Sequence, residues 1–457
     1  MTAEAARPRP RLLPLVWPLY LELWLGIAVG LVGTALAARQ GDASGGAFAM
    51  ANQLAATLFV LFRIIGAGAS VVLTQRLGGG RRDQADAVAR ATLGASTWIG
   101  GGTGLACVLL AGPLLAGLNT PPEVRPLAEP FLRWLGLSLL LDAWVTSLAA
   151  VMRAHLHARD TLLVILLMHG AHLLLSLPLM LGFGPLPALG LVGFALALLA
   201  SRALGAGLLL WFWRVRLSLR PRAADWWRLP RAELAAVLHI GLPGAAENIA
   251  WRLAFMVSVA VVGRLGAQAL ATHAYVMQVM MGVLLFGAAT GIAVEIVVGH
   301  LVGAGRLREA DRLLRRALAA GLAVSTGLAL AVALAGPWLM RLFTQDEAIV
   351  RQGAMLLWLT VGVESGRTFN LVVINALRAA GDARYPVAAG AASMAVVLAG
   401  GSVWFGLGLG WGLAGLWLVY AADEWLRGLL MWRRWVRLRW LPMARATHRR
   451  LRHGHAA

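Results

Sequence analysis

Apolar residues run along this chain in long unbroken windows, not in the alternating stripes of soluble amphipathic elements. The windows centre on residues 13–38, 48–74, 93–118, 131–152, 162–182 and 189–213, then 237–264, 270–302, 317–340, 353–377, 386–406 and 411–432. Each is close to or above the roughly 20 residues one helix needs to cross a bilayer core. Twelve such windows predict an all-α polytopic membrane protein of twelve transmembrane helices. Connections between them are short, so no soluble domain fits beside the spans.

The pattern repeats. At a shift of 225 residues, Pro18 and Glu22 fall on Pro243 and Glu247, Arg39 on Arg264, Gln53 on Gln278, and Gly66 on Gly291. Gly78-Gly79-Gly80-Arg81 falls on Gly303-Ala304-Gly305-Arg306, and Ala85-Asp86 on Ala310-Asp311. Further on, Arg153 and Ala154 fall on Arg378 and Ala379, and Ala158 and Arg159 on Ala383 and Arg384. A constant shift over this stretch indicates an internal duplication. Two six-helix pseudo-symmetric lobes follow: 1–220, then a cytoplasmic linker at 221–235 marked by Pro221 and Pro230, then 236–457 with a basic tail. An even number of helices per lobe predicts a pseudo-two-fold axis along the membrane normal, with any substrate between the lobes.

Composition sharpens this. The 457 residues are 59% hydrophobic and only 14% charged, with mean hydropathy +0.73; soluble domains carry about 25% charge. Net charge +20 invites a nucleic-acid reading, but no soluble fold is present to offer the charge to a duplex, so no nucleic-acid partner is expected. All 41 basic residues are arginine, a compositional bias without functional weight. Thirty of the 41 lie on the side that holds both termini, six at the opposite helix ends and five within spans. That asymmetry predicts cytoplasmic termini. The dense groups Arg214 to Arg231, Arg306 to Arg316 and Arg433 to Arg452 suit contact with anionic lipid headgroups, or else with an acidic partner. Arg7, Arg9 and Arg11 precede an apolar run that lacks a small-residue cleavage site, so this start reads as the first membrane helix and not as a signal peptide. Cys107 is the single cysteine and leaves neither an internal disulfide nor a metal-thiolate site.

Several stretches resemble the multidrug and toxic compound extrusion (MATE) family: Gly241-Leu-Pro243-Gly-Ala-Ala-Glu247-Asn248, Val262-Gly263-Arg264-Leu265-Gly266-Ala267, Val298-Gly299-His300-Leu301-Val302-Gly303-Ala304-Gly305, and Asn375-Ala-Leu377-Arg378-Ala-Ala-Gly381-Asp382-Ala-Arg384-Tyr-Pro386. They span about 145 residues, and the first half repeats them more loosely. The resemblance implies a two-lobed fold that alternates between inward and outward openings. It also implies a secondary active antiporter that exports organic, often cationic, compounds in exchange for protons or sodium ions. The implied location is the bacterial inner membrane, with a transported ion but no cofactor, small organic substrates and membrane lipids as partners, and a monomeric state. Two positions depart from the family pattern. Val32-Gly33-Thr34 stands where many members resemble Val-Asp-Thr, and Arg367 stands where some place an aspartate.

Ionisable groups inside spans are costly, about 2.5 to 3.5 kcal/mol on insertion scales, so each needs a partner, a wet cavity or a function. Glu247, about nine residues into the seventh window and therefore near mid-bilayer, is either a cation-coupling carboxylate or a permanent partner of Arg252 or Arg367. Glu22 is its repeat mate. Glu364 and Arg367 are three apart on one face of the tenth helix and make either a structural pair or a switchable one; Glu364 and Glu22 are further coupling candidates, and Arg367 is a candidate for the substrate cavity. Glu295 lines an inner cavity or snorkels. Asp142 falls on Arg367 in the repeat, and with Arg63 it either forms a cross-lobe pair or bonds locally. Asn248, Asn370, Gln278 and Gln53 are candidate cavity amides, Asn375 resembles them, and Met281 sits with Met277 and Met280 as either adaptable lining or core filler. His169 and His172 share a face of the fifth helix, as a proton relay or as hydrogen-bonded core residues. His155 and His157 form no metal site.

Rival classes are weighed by chemistry. A lipid-linked precursor flippase of related fold would want a cation-rich cavity for a diphosphate, whereas the spans hold five arginines against six or seven acids. A membrane-embedded transferase would need clustered loop acids, and the loops offer only scattered ones such as Glu123 and Glu129. The glycine loops at Gly78 and Gly303 follow membrane helices and lack the Lys-Ser/Thr of a phosphate cradle, so they are turns. No enzyme is indicated.

Overall fold

The computed structural model describes residues 11–182 and 187–453, without the side chains of 60, 63 and 453. Among the described residues every regular element is helical. The long helices are α1 (Leu13–Arg39), α2 (Asp42–Gly78), α3 (Arg82–Gly117), α4 (Arg125–Ala154), α5 (Ala158–Leu181), α6 (Gly190–Arg216), α7 (Arg231–Arg264), α8 (Ala267–Gly303) and α9 (Leu307–Leu334). A short α10 (Gly336–Arg341) follows, then α11 (Glu347–Ala379), α12 (Arg384–Gly408), α13 (Gly412–Val436) and the terminal α14 (Leu441–His453). The ninth window, read as one helix to residue 340, breaks at Gly336-Pro337, because proline starts a helix more readily than it continues one. Among the described residues, ten helices are long and apolar enough to span a bilayer. The other two long ones, α11 and α13, carry charges in their middles: Glu364 and Arg367 in one, Asp423, Glu424 and Arg427 in the other.

The chain divides into two compact units. The first holds residues 21–73 and 82–242. In it, α3 and α4 meet along a seam of small residues: a methyl added at Gly104 would lie 2.5 Å from the carbonyl oxygen of Gly136, and one at Gly100 would lie 2.7 Å from the Ala143 methyl. Such seams replace the hydrophobic effect as the reason for close helix approach in lipid. Phe48, Phe131 and Phe194 fill the adjoining core. Residues 221–235, expected as a linker, dock on α3: Trp98 Nε1 donates to the Trp227 carbonyl at 2.9 Å and Arg90 lies 3.8 Å from Asp225.

The second unit gathers residues 74–81 and 243–453 with the start of α1 through Tyr20. At its centre α11 packs against α8, α9 and α13, with Gly287 of α8 against Thr368 and Gly428 of α13 against Phe369. The ends of α2 and α8 cross here reciprocally. Added methyls would lie 2.1 Å from the His300 carbonyl oxygen at Gly78 and 1.9 Å from that of Gln75 at Gly303. Gln75 and His300 are themselves repeat mates, as are Thr74 and Gly299, which also touch.

The duplication reaches the backbone. Gly41 and Gly266, Gly80 and Gly305, and Leu156 and Gly381 all take positive φ, each pair 225 residues apart. Gly190 and Gly412, at φ +55° and +56°, are 222 apart, so the shift shortens by three residues before the last helix of each half.

Candidate functional site

Three buried carboxylates, the buried Arg427 and the half-buried Arg367 meet in the second unit. The spacing of α11 places Glu364, Arg367 and Asn370 on successive turns of one face, and α13 places Asp423, Glu424 and Arg427 within one turn. Arg367 Nη1 donates to Glu364 Oε1 at 2.7 Å, and its Nε donates to Glu424 Oε1 at 3.1 Å. Asn370 Nδ2 donates to Glu424 Oε2 at 2.9 Å. Arg427 bridges Asp423 at 2.8 Å and Glu424 at 3.0 Å, and the Ser393 hydroxyl on α12 donates to Asp423 Oδ1 at 2.7 Å. Glu364 is wholly buried, and its second oxygen, Oε2, has no hydrogen-bond partner. With every group ionised the cluster carries one surplus negative charge, three against two.

Glu247 lies beside this cluster. A methyl on Gly390 of α12 would touch Glu247 Cγ at 3.7 Å and Arg427 Cδ at 3.9 Å. The salt-bridge partner of Glu247 is Arg378 at the end of α11. This corrects the expected partners Arg252 and Arg367. Arg252 follows Glu247 by five residues, about 140° around the helix, and is exposed, while Arg367 is held by two other carboxylates. The helix also starts earlier than its apolar window, so Glu247 stands 16 residues past Arg231 and not about nine.

The ion pairs of the first unit mirror these. Glu22 accepts from Arg153 Nη1 at 2.9 Å, and these residues are the repeat mates of Glu247 and Arg378. Asp142 pairs with Arg202 on α6. Shifting Asp142 by 225 and Arg202 by the shortened 222 lands on Arg367 and Glu424, so this pair recurs with its charges reversed. Of the two readings of Asp142, the local one therefore holds; the side chain of Arg63 lies outside the described residues. Near Arg202, whose Nη1 contacts Met168 Sδ at 3.1 Å, His169 and His172 are buried, with the His172 ring 4.6 Å from that of Phe194. His169 Nδ1 has no hydrogen-bond partner.

Of the other cavity candidates, Asn248 and Met281 are half-buried, Glu295 is buried on α8, and the repeat mates Gln53 and Gln278 are both exposed. Met280 lies in the apolar core of the second unit. The structure thus gathers Glu364, Arg367 and Asn370 into one network and leaves Gln278 and Met281 outside it. Sequence reasoning missed Asp423, Glu424 and Arg427. Their signal was available: three ionisable residues in the middle of the last apolar window.

Among the described residues, long apolar helices with charge networks buried between them make a polytopic membrane protein, and its relatives give its class as a transporter. The chain belongs to the MATE family. The family model MatE matches twice, over residues 18–177 and 243–404, the two matches beginning at the repeat-mated Pro18 and Pro243. The chain is 29% identical to the uncharacterized transporter YisQ of Bacillus subtilis, covering 95% of this chain and 96% of the relative. It is also 29% identical to a probable multidrug resistance protein NorM of Deinococcus radiodurans, covering 89% and 93%. A crystal structure of MATE in the bent conformation superposes with a TM-score of 0.87 at 17% identity, covering 95% of this chain and 96% of that one. A transporter of the MOP superfamily from Pyrococcus furiosus, described as having a binding pocket of reversed polarity, gives 0.85 at 18% identity over 94% and 96%.

Proposed function

We propose that this protein is a secondary antiporter of the bacterial inner membrane that exports organic cations, with both termini cytoplasmic, and that the buried network of its second unit is the coupling site. The observation that carries this reading is the charge count. Glu364, Asp423 and Glu424 outnumber Arg367 and Arg427 by one, and Glu247 with Arg378 adds no net charge. A low-dielectric site with one surplus negative charge favours a cation, and inward and outward openings in turn would exchange a small coupling cation for a larger organic one. Relatives such as NorM, a probable multidrug resistance protein, support an organic cargo. A lipid-linked diphosphate, as a flippase would carry, would meet a surplus of its own sign here. Of the acids expected to couple, Glu364 is the one proposed, since Glu247 and Glu22 are each balanced by one arginine; Asn248, Gln278, Met281, Glu295, Asn370 and Gln53 are the proposed lining, with Arg367 acting through its carboxylates.

The test is reconstitution of the full chain into liposomes with an imposed proton or sodium gradient while ethidium is followed by fluorescence. Gradient-driven ethidium movement, absent from empty liposomes, is the expected result. Movement that ignores both gradients would contradict antiport.

A further inference from the structure

We infer that the coupling ion is a proton and that its carrier is Glu364, while Glu247 and Arg378 form a structural clasp. This rests on the antiport reading above and sharpens it to one atom.

Three observations carry it. The first is an inventory of oxygens. The three clustered carboxylates have six, and five are engaged: Glu364 Oε1 and Glu424 Oε1 by Arg367, Glu424 Oε2 by Asn370 and Arg427, Asp423 Oδ1 by Ser393, and Asp423 Oδ2 by Arg427. Of these six, Glu364 Oε2 alone is buried without a partner; in the first unit Glu22 Oε1 also has none, but that carboxylate is balanced one to one by Arg153. A buried ionised oxygen with no donor pays its full desolvation cost, whereas a proton on it removes both the charge and the surplus. A metal cation needs several free oxygens and would stand among two fixed guanidiniums; one free oxygen is a place for a proton.

The second concerns what faces Glu364. Its own helix contributes Arg367; α13 contributes Glu424, with Asp423 and Arg427 behind it; α9 contributes the Ser325 hydroxyl, which reaches the Glu364 backbone carbonyl at 3.4 Å; α8 contributes Gly287 against Thr368. Tyr420, one turn earlier on α13, is engaged with Ser258 at 2.6 Å and His273 at 3.3 Å, and Glu247 with Arg378. Every fixed cation near Glu364 is thus shared with another carboxylate, which leaves Glu364 the member that can be neutral without orphaning an arginine: Arg367 would keep Glu424 and still donate to the neutral acid.

The third is the repeat. The Glu247–Arg378 pair recurs with the same polarity as Glu22–Arg153, as a brace inherited in both halves would. The Arg367–Glu424 pair recurs reversed, as Asp142–Arg202, and position 139, the repeat mate of Glu364, is Leu139. The surplus carboxylate belongs to one half only, as does an exchange site that binds a single ion.

In the exchange step the O–H bond of Glu364 breaks as an organic cation enters and the proton passes to water on the open side, so one unit charge replaces another. Raising pH therefore strengthens binding of ethidium, its competitor.

The test uses the full chain and the variants Glu364→Gln and Glu247→Gln. In detergent, calorimetric titration of ethidium in buffers of different ionisation enthalpy should show about one proton released per ethidium by the wild type and none by Glu364→Gln, whose ethidium affinity should also lose its pH dependence. Glu247→Gln should release its proton as the wild type does but melt at lower temperature. In liposomes a proton gradient should drive export by the wild type and Glu247→Gln, and not by Glu364→Gln. Should Glu364→Gln fail to fold, Glu364→Asp replaces it, with proton release retained and its pH dependence displaced. Proton release or proton-driven export unchanged in Glu364→Gln, or lost in a folded Glu247→Gln, overturns the inference while leaving antiport standing. A wild type driven by sodium alone overturns it too, and a wild type driven by neither gradient overturns the antiport reading itself.

Discussion

At the residue scale, pairing decides what each buried charge can be. The ionisable residues of the spans were visible as exceptions in apolar windows, and the Glu364–Arg367 pair followed from its i,i+3 spacing, yet the partners on other helices were not visible. Glu247 and Arg378 are 131 residues apart, and only the folded chain tells that they meet. The repeat did hold the clue, since Glu22 and Arg153 shift together onto Glu247 and Arg378. Breaking a buried pair by removing one partner typically costs about 3 to 5 kcal/mol, while removing both costs much less. Glu22→Gln should therefore lower the melting temperature in detergent, and Glu22→Gln combined with Arg153→Met should recover most of the loss. An unchanged melting temperature in the single variant would show that this pair braces nothing. Leu156 offers the opposite sign. It takes φ +67°, where its mate Gly381 takes +90°, and left-handed backbone costs a side-chain-bearing residue roughly 1 kcal/mol. Leu156→Gly should raise stability by about that amount, less whatever packing its side chain contributes.

At the element scale, most of the helices were legible and their breaks were not. A hydropathy window smooths over Gly336-Pro337, so α9 and α10 read as one span, and it stops at the edge of the apolar run, so α7 lost its first turns. Missing Asp423, Glu424 and Arg427 has a related cause: a window still apolar on average hides a polar face turned toward α11. The glycine loops were read as turns because they follow membrane helices, and Gly80 and Gly305 do turn the chain at positive φ. What the sequence could not display is that Gly78 and Gly303 admit another helix's carbonyl oxygen, a fact of distance between segments 225 residues apart. Gly303→Ala puts a methyl 1.9 Å from the Gln75 oxygen and should force the α2 and α8 ends apart, with a clear fall in melting temperature. Gly263→Ala is the control, because nothing lies within 4 Å of its added methyl and alanine is the better helix former by about 0.5 to 1 kcal/mol. Equal effects of the two would argue against the crossing.

At the scale of the whole molecule, composition alone placed the chain in a bilayer, and the two family-model matches at Pro18 and Pro243 reproduce the duplication read from the sequence. The thirty-to-six arginine asymmetry predicts which face is cytoplasmic. With Cys107 buried, Arg220→Cys and Glu123→Cys should be labelled by an impermeant maleimide from opposite sides of inverted and right-side-out vesicles; labelling from one side would refute the assignment. The exchange itself is tested most directly in reverse. Ethidium is added outside proteoliposomes held at equal pH on both faces, with a pH-sensitive dye trapped inside. Proton antiport predicts that inward ethidium movement expels protons and raises the internal pH in wild-type vesicles, and that Glu364→Gln vesicles stay flat. Ethidium entry through the wild-type protein with no change of internal pH would contradict the account.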